Sequence, residues 1–285
     1  MKKYIKKAIK LIGFSGVVRS ILLKKSNKLF KKKYGDINQW TLNRRGINVI
    51  FSTSNKYSKG WFFPRYANGK IHEPIATDIF IDNINSDSVV LDIGGHLGYF
   101  TCLSSKLASD GKVHVFEVDP NCLTLIEENL KLNNIINVSI NNFAVSDHND
   151  FERIPLLQNP NPGLKINSKA NKYLDIKAIQ IDDYILEHKI VPDFIKIDVE
   201  GAELKVIKGM KNVLKQKKLK LLIEIHVDNL RDYFNSDYKE ILKIIEDEGF
   251  IMTNIEDHRD SKSVFTNVTK KSDLVGNTMI FCVKK

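Results

Sequence analysis

The sequence predicts an α/β fold, a mostly parallel sheet with helices on both faces, from three features of the chain. From residue 89 onward, short apolar runs alternate with amphipathic helical patterns, as repeated strand–helix units do. The first unit, Val89-Val-Leu-Asp-Ile-Gly-Gly-His-Leu-Gly-Tyr-Phe-Thr101, reads as a buried strand, a glycine turn and the start of a helix. The last two apolar runs, 250–254 and 278–283, are joined without a helix, so the final strand is expected to run antiparallel.

At 285 residues and 42% hydrophobic, the chain can bury one large α/β domain with a small extension. Cys102, Cys122 and Cys282 are far apart and lack metal-ligand spacing, which predicts reduced, buried thiols in a cytoplasmic protein. No apolar run reaches the roughly 20 residues of a membrane span. The net charge of +10 is unevenly placed: residues 1–33 hold twelve Lys or Arg and no acid, leaving 32 basic against 34 acidic residues in the rest. A near-neutral body argues against a nucleic-acid partner.

Residues 1–35 form a basic arm in which Ile5, Ala8, Ile9, Ile12, Val17, Val18, Ile21 and Leu22 recur at helical spacing. Such a segment suits either packing on the body or peripheral contact with an anionic membrane through residues 1–33, at its inner face. Residues 36–70, with the runs Val49-Ile50-Phe51 and Trp61-Phe62-Phe63, are expected to form a small β-rich cap. The main domain spans 71–285 and begins with a helix at 72–84 that has Pro74 in its first turn. Strands follow at 89–93, 113–117, 137–142, 176–180, 193–198, 219–226, 250–254 and 278–283. Helices are expected at 98–108, 121–133, 202–216 and 237–248, with a helical turn at 181–186 and loops at 146–175 and 256–273.

Ligands of such sheets sit at the carboxyl ends of the strands. Gly94, Gly95 and Gly98 allow close backbone approach, and the helix behind them offers unpaired N–H groups. Asp92 precedes Gly94 by two residues, and Glu117 ends the second strand. An acid at that second position can accept hydrogen bonds from both ribose hydroxyls. A carboxylate beside a pyrophosphate gains nothing, whereas opposite charges stabilise the sulfonium and ammonium of S-adenosyl-L-methionine. The alternatives are an NAD-dependent oxidoreductase and a non-catalytic cofactor-binding protein.

Val89–Phe100, Phe116-Glu-Val-Asp-Pro120, Ala144-Val-Ser-Asp147, Asp193-Phe-Ile-Lys-Ile-Asp-Val-Glu-Gly-Ala-Glu203 and Leu222-Ile-Glu-Ile-His226 resemble the FkbM family of S-adenosylmethionine-dependent methyltransferases, over roughly residues 72–254. Val118-Asp119 departs from the family, which often has a proline and a small or polar residue there. The resemblance implies a Rossmann-like class I methyltransferase fold with a seven-stranded, mostly parallel sheet and an antiparallel last strand. It implies O-methylation of a sugar, glycan or similar small molecule; a lipid-linked glycan would explain the basic arm. It also implies that Asp92, Gly94, Gly95 and Gly98 line the methionine part of the cofactor, that Glu117 holds the ribose and that Asp147 sits by the adenine.

A hydroxyl acceptor needs a base within reach as it attacks. Lys196 and Asp198 share a strand face, and with Glu200 they place three charges at a buried strand end, where charges need a partner or a task. Glu224 and His226 share a face of the next strand, and a histidine's ordinary pKa suits a general base. Lys196, Asp198, Glu200 and His226 are therefore the candidate catalytic residues, set against a purely structural pairing of Lys196 with either carboxylate and of Glu203 with its helix dipole. Asp198, Glu224 and His226 could also ligate a divalent ion. Ile225 and Val227 leave that strand without a further acid, and the sequence is read as metal-independent. The polar groups Asp257, His258, Arg259 and Asp260 suit a hydroxylated acceptor.

Overall fold

The computed structural model describes residues 32–66, 69–155, 173–256, 258–259 and 264–284. The basic arm falls outside the described residues over 1–31, as do Asp257 and Asp260. The chain divides into two compact units, residues 1–40 with 52–72 and residues 41–51 with 73–285.

The first unit is built on helix α1 (Lys56–Tyr66). Trp61, Phe62 and Phe63 are buried on it, where the sequence predicts a β-type run. The reason is a cap: the Asn55 side-chain oxygen accepts from the backbone N–H groups of Tyr57 (3.0 Å) and Ser58 (2.7 Å), satisfying donors that a helix start leaves open. Trp61 then packs edge-on against Tyr66 and His72.

The second unit begins with most of a hairpin, β1 (Gln39–Arg44) and β2 (Ile47–Ser52), turned by Arg45 and Gly46 at positive φ. Helix α2 (Pro74–Asn83) leads into β3 (Val89–Ile93), α3 (Tyr99–Leu107), β4 (Lys112–Phe116), α4 (Pro120–Leu132) and β5 (Val138–Asn141). Three strands, β6 (Ala144–Val145), β7 (Phe151–Pro155) and β8 (Tyr173–Ile179), form a separate sheet partly within the expected loop 146–175. Then come α5 (Ile181–His188), β9 (Phe194–Ile197), α6 (Glu203–Lys208), β10 (Lys220–His226), α7 (Val227–Phe234), α8 (Tyr238–Asp247), β11 (Phe250–Ile255), β12 (Phe265–Val268) and β13 (Asn277–Lys284).

The main sheet has the order β12-β11-β13-β10-β9-β3-β4-β5. It is parallel from β10 to β5, and β13 runs antiparallel to both β10 and β11. The expected seven strands are present with the antiparallel last strand, and an eighth, β12, pairs along the outer edge of β11. Leu91, Ile93, Ile195, Ile197, Leu221 and Ile223 are buried on adjacent strands, as near-continuous apolar strands are when helices cover both faces. The expected helix 202–216 stops at Lys208. The Asp182 carboxylate accepts from the backbone N–H groups of Asn212 (2.8 Å) and Val213 (2.9 Å), drawing the chain out of the helix. Among the described residues no helix is long and apolar enough to cross a membrane.

Candidate active site

The glycine turn is locked onto its neighbours. Gly94 has φ +87°, and a Cβ on it would lie 1.9 Å from the Asp198 carbonyl oxygen, so only glycine fits. The N–H groups of Gly94 and Gly95 donate to the Phe116 carbonyl at 2.9 and 3.1 Å, tying the turn to the end of β4. Gly98 opens α3. Beneath the turn, fully buried Asp92 accepts a 2.6 Å bond from the Thr101 hydroxyl through Oδ2, while Oδ1 is buried without a hydrogen bond. Burial raises the Asp92 pKa against the opposing pull of Lys196 and Thr101.

Glu117 closes the other side. Its carboxylate accepts from the backbone N–H groups of His96 (2.7 Å), Val118 (2.7 Å) and Asp119 (2.9 Å). Burial lifts its pKa to about 7 even so. The glycine turn and Glu117 are thereby brought together through the His96 amide. Asp147 is exposed after β6, where its Oδ1 accepts from the neighbouring Ser146 hydroxyl at 3.3 Å.

A row of charges crosses the carboxyl ends of β3, β9 and β10. Asp92 pairs in register with Lys196, and Asp198 and Glu224 each follow the Ile197–Ile223 pair. Buried Lys196 donates to Asp198 Oδ2 at 3.1 Å, lies 3.9 Å from Asp92 Oδ1 and stands over the Phe100 ring. Burial lowers the Lys196 pKa, but Asp198 and Asp92 outweigh it and hold the ammonium charged. Burial likewise pushes Asp198 up, while Lys196 and His226 bring it down to about 2.

His226 is ringed by carboxylates. Its Nδ1–H donates to Glu203 Oε1 at 2.8 Å, and its Nε2 lies 3.2 Å from Glu200, 3.7 Å from Glu224 and 3.9 Å from Asp198. Burial disfavours the imidazolium, yet Glu203, Glu200 and Asp198 raise its pKa to about 10. The carboxylates around it thus favour the charged imidazolium, and the histidine balances their charge. Glu200 sits in a left-handed turn at φ +54° and receives Asn229 Nδ2 on its carbonyl at 3.0 Å. Burial, then Asp198, Glu224 and Glu203, push its carboxyl to about 7 against the pull of His226. Gly201 follows at φ +116°, where a Cβ would strike Asn229 and Phe234. Glu224 is raised too, by burial and then Asp198, although Arg259 and Asn277 donate to it at 3.2 and 3.3 Å.

Lys196, Asp198, Glu200 and His226 thus meet in one place, and Lys196 links them to Asp92. Sequence reasoning missed Glu73, a buried carboxyl at the start of α2 that burial, Glu224 and Asp198 raise to about 8. It also took Glu203 as a helix-dipole partner, although Glu203 holds His226. His258 Nε2 reaches Glu224 Oε1 at 3.5 Å and Glu73 Oε1 at 3.9 Å. A glutamate ahead of a helix-opening proline was the only local sign of Glu73.

The donor set fits S-adenosylmethionine: a carboxylate oxygen without a hydrogen bond under the glycine turn, and a second carboxylate held at the next strand end. Comparisons agree with that chemistry. The family described as the methyltransferase FkbM domain matches residues 92–252, more than half of the chain. Hexuronic acid methyltransferase AglP of Haloferax volcanii is 28% identical over 183 residues, which are 61% of this chain and 73% of that protein. Methyltransferase sdnD of Sordaria araneosa is 24% identical over 227 residues, covering 64% of this chain and 82% of that protein. Among solved structures, methyltransferase FkbM of Methylobacillus flagellatus shares 19% identity at a TM-score of 0.45, covering 70% of this chain and 44% of that one.

Proposed function

This chain belongs to the FkbM methyltransferase family, and we propose that it transfers a methyl group from S-adenosyl-L-methionine to a hydroxyl oxygen of a sugar or glycan acceptor. The reading is carried by the charged row at the ends of β9 and β10, set directly against the glycine turn of β3. The cofactor supplies a methyl group on a sulfonium, so the residues of this chain need chiefly to bind, orient and accept a proton. Asp92 and the turn of Gly94, Gly95 and Gly98 receive the methionine end, Glu117 the ribose and Asp147 the adenine. Lys196 fixes Asp198, whose side chain is 26% exposed and can accept from an acceptor hydroxyl. Glu200, also part-exposed and aimed by its turn at His226, is placed to take the hydroxyl proton. A relative that acts on a hexuronic acid supports a sugar acceptor.

The test has two parts. Calorimetry should show binding of S-adenosylhomocysteine and none of NAD; the reverse would sink the reading. Methyl-labelled cofactor should then transfer label to glycans, and the label should survive mild base, as an ether does. Label lost in mild base would place the methyl on a carboxylate as an ester instead.

A further inference from the structure

We propose that Asp198, Glu224 and His226 form a binding site for one divalent first-row transition-metal ion. One donor atom from each lies within 4.8 Å of the others. His226 Nε2 stands 3.7 Å from Glu224 Oε1 and 3.9 Å from Asp198 Oδ1, too far for hydrogen bonds, and is held meanwhile by Glu200 Oε2 at 3.2 Å. Two ligands each about 2.1 Å from a shared ion lie roughly 3.0–3.4 Å apart, so the three donors, none more than 4.8 Å from another, must close inward to seat an ion. Asp198 and Glu224 follow a paired position on adjacent parallel strands, and His226 lies two residues on, on the face of Glu224. Glu224 and His226 therefore stand on a strand, and Asp198 one residue past the end of its neighbour.

Two further observations point to a cation. The first is the setting of His226. Its Nδ1–H is given to Glu203, a fully buried carboxylate that the Gly201 amide also holds, at 2.9 Å. A carboxylate behind a histidine fixes the ring and raises the basicity of its outer nitrogen, where an ion would replace the proton now shared with Glu200. The second is charge. Asp198, Glu200, Glu203 and Glu224 surround one imidazole, Lys196 is shared with Asp92, and the Arg259 side chain is 64% exposed. Buried carboxylates in excess of cations are unfavourable, and a dication offsets them. One imidazole with two carboxylates suits manganese, iron or zinc better than magnesium or calcium, which prefer oxygen alone. The sequence offered three donors; the fold adds Glu203 behind the histidine.

The site stands independently of the acceptor, because it is read with metal alone. Tag-free, chelator-treated full-length protein is titrated with Mn²⁺ by calorimetry and by paramagnetic resonance of the free ion. One Mn²⁺ per chain is expected. Asp198→Asn should weaken binding at least 10-fold, and Glu203→Gln, acting from behind, should weaken it about 10–100-fold. Circular dichroism and the melting temperature of each variant confirm that it is folded. The proposal is overturned if the wild type binds neither Mn²⁺ nor Zn²⁺, or if folded Asp198→Asn binds as tightly as wild type. Binding lost in Glu73→Gln but kept in Asp198→Asn also overturns it, since that would move the ion to the Glu73, Glu224 and His258 group.

Discussion

Two buried histidines on the same sheet have opposite fates. His114, in the middle of β4, is pushed down to about 4 by burial and by the charges of His188 and Lys112. Its Nδ1–H donates to the Tyr184 hydroxyl at 2.8 Å, because that hydroxyl gives its own proton to Asn141 Oδ1 at 3.0 Å. His226, at the end of β10, is lifted to about 10 although burial acts on it in the same direction. Burial alone keeps a histidine neutral; carboxylates at 2.8 and 3.2 Å reverse it. The mid-sheet network is neutral and serves the fold. The strand-end network favours the charged forms of Lys196, Asp198 and His226 against burial, a pattern that marks a candidate site of chemistry.

The hardest way to break that contrast is to remove the cation at the head of the charged row. Lys196→Met leaves buried Asp92 and half-buried Asp198 without their shared ammonium. Breaking a buried pair from one side costs about 3–5 kcal/mol, so the variant should unfold at markedly lower urea than wild type, with methyl transfer lost. Unchanged urea stability would mean that Lys196 does not hold these acids ionised.

Glu117 lies between the two regimes, buried like His114 but held by three backbone amides. Glu117→Gln keeps the shape and removes the charge. Hydrogen bonds to a charged group contribute about 1.5–3 kcal/mol, so the affinity for S-adenosylhomocysteine should fall about 10- to 100-fold in calorimetry. An unaltered Kd would remove Glu117 from the cofactor site.

The sheet was legible because its strands are buried on both faces and its first turn needs glycine for a steric reason, the Asp198 carbonyl 1.9 Å from any Cβ on Gly94. The meeting of Lys196, Asp198 and Glu200 was legible because strand alternation puts Lys196 and Asp198 on one face and Glu200 follows Asp198 by two residues, just past the strand end. Other features depended on partners outside the segment itself. Trp61–Phe63 read as a strand until Asn55 capped the helix. β12 was hidden because Phe265-Thr-Asn-Val268 is a four-residue edge strand that needs β11 to form. The protonation of His226 belongs to Glu203, 23 residues earlier in the chain, and not to histidine as a type. Glu73 joins the site only because α2 brings it to the end of β10, where it feels Glu224.

The smallest effect probes the neutral histidine. His114 has a folded pKa of about 4, below the ordinary value of 6.5 that it regains on unfolding. Between those values the unfolded chain binds more protons than the folded one, so stability from this residue falls as pH falls from 6.5 to 4 and is complete above 6.5. His114→Asn lacks this dependence. Wild type should be the more stable at pH 7.5, and its margin over the variant in urea unfolding should shrink by on the order of 1 kcal/mol by pH 4.5. A margin that stays constant with pH would show that His114 titrates alike in the folded and the unfolded chain. Burial would then not set the two histidines apart, and the distinction between a structural and a functional polar network would have to rest on the carboxylates alone.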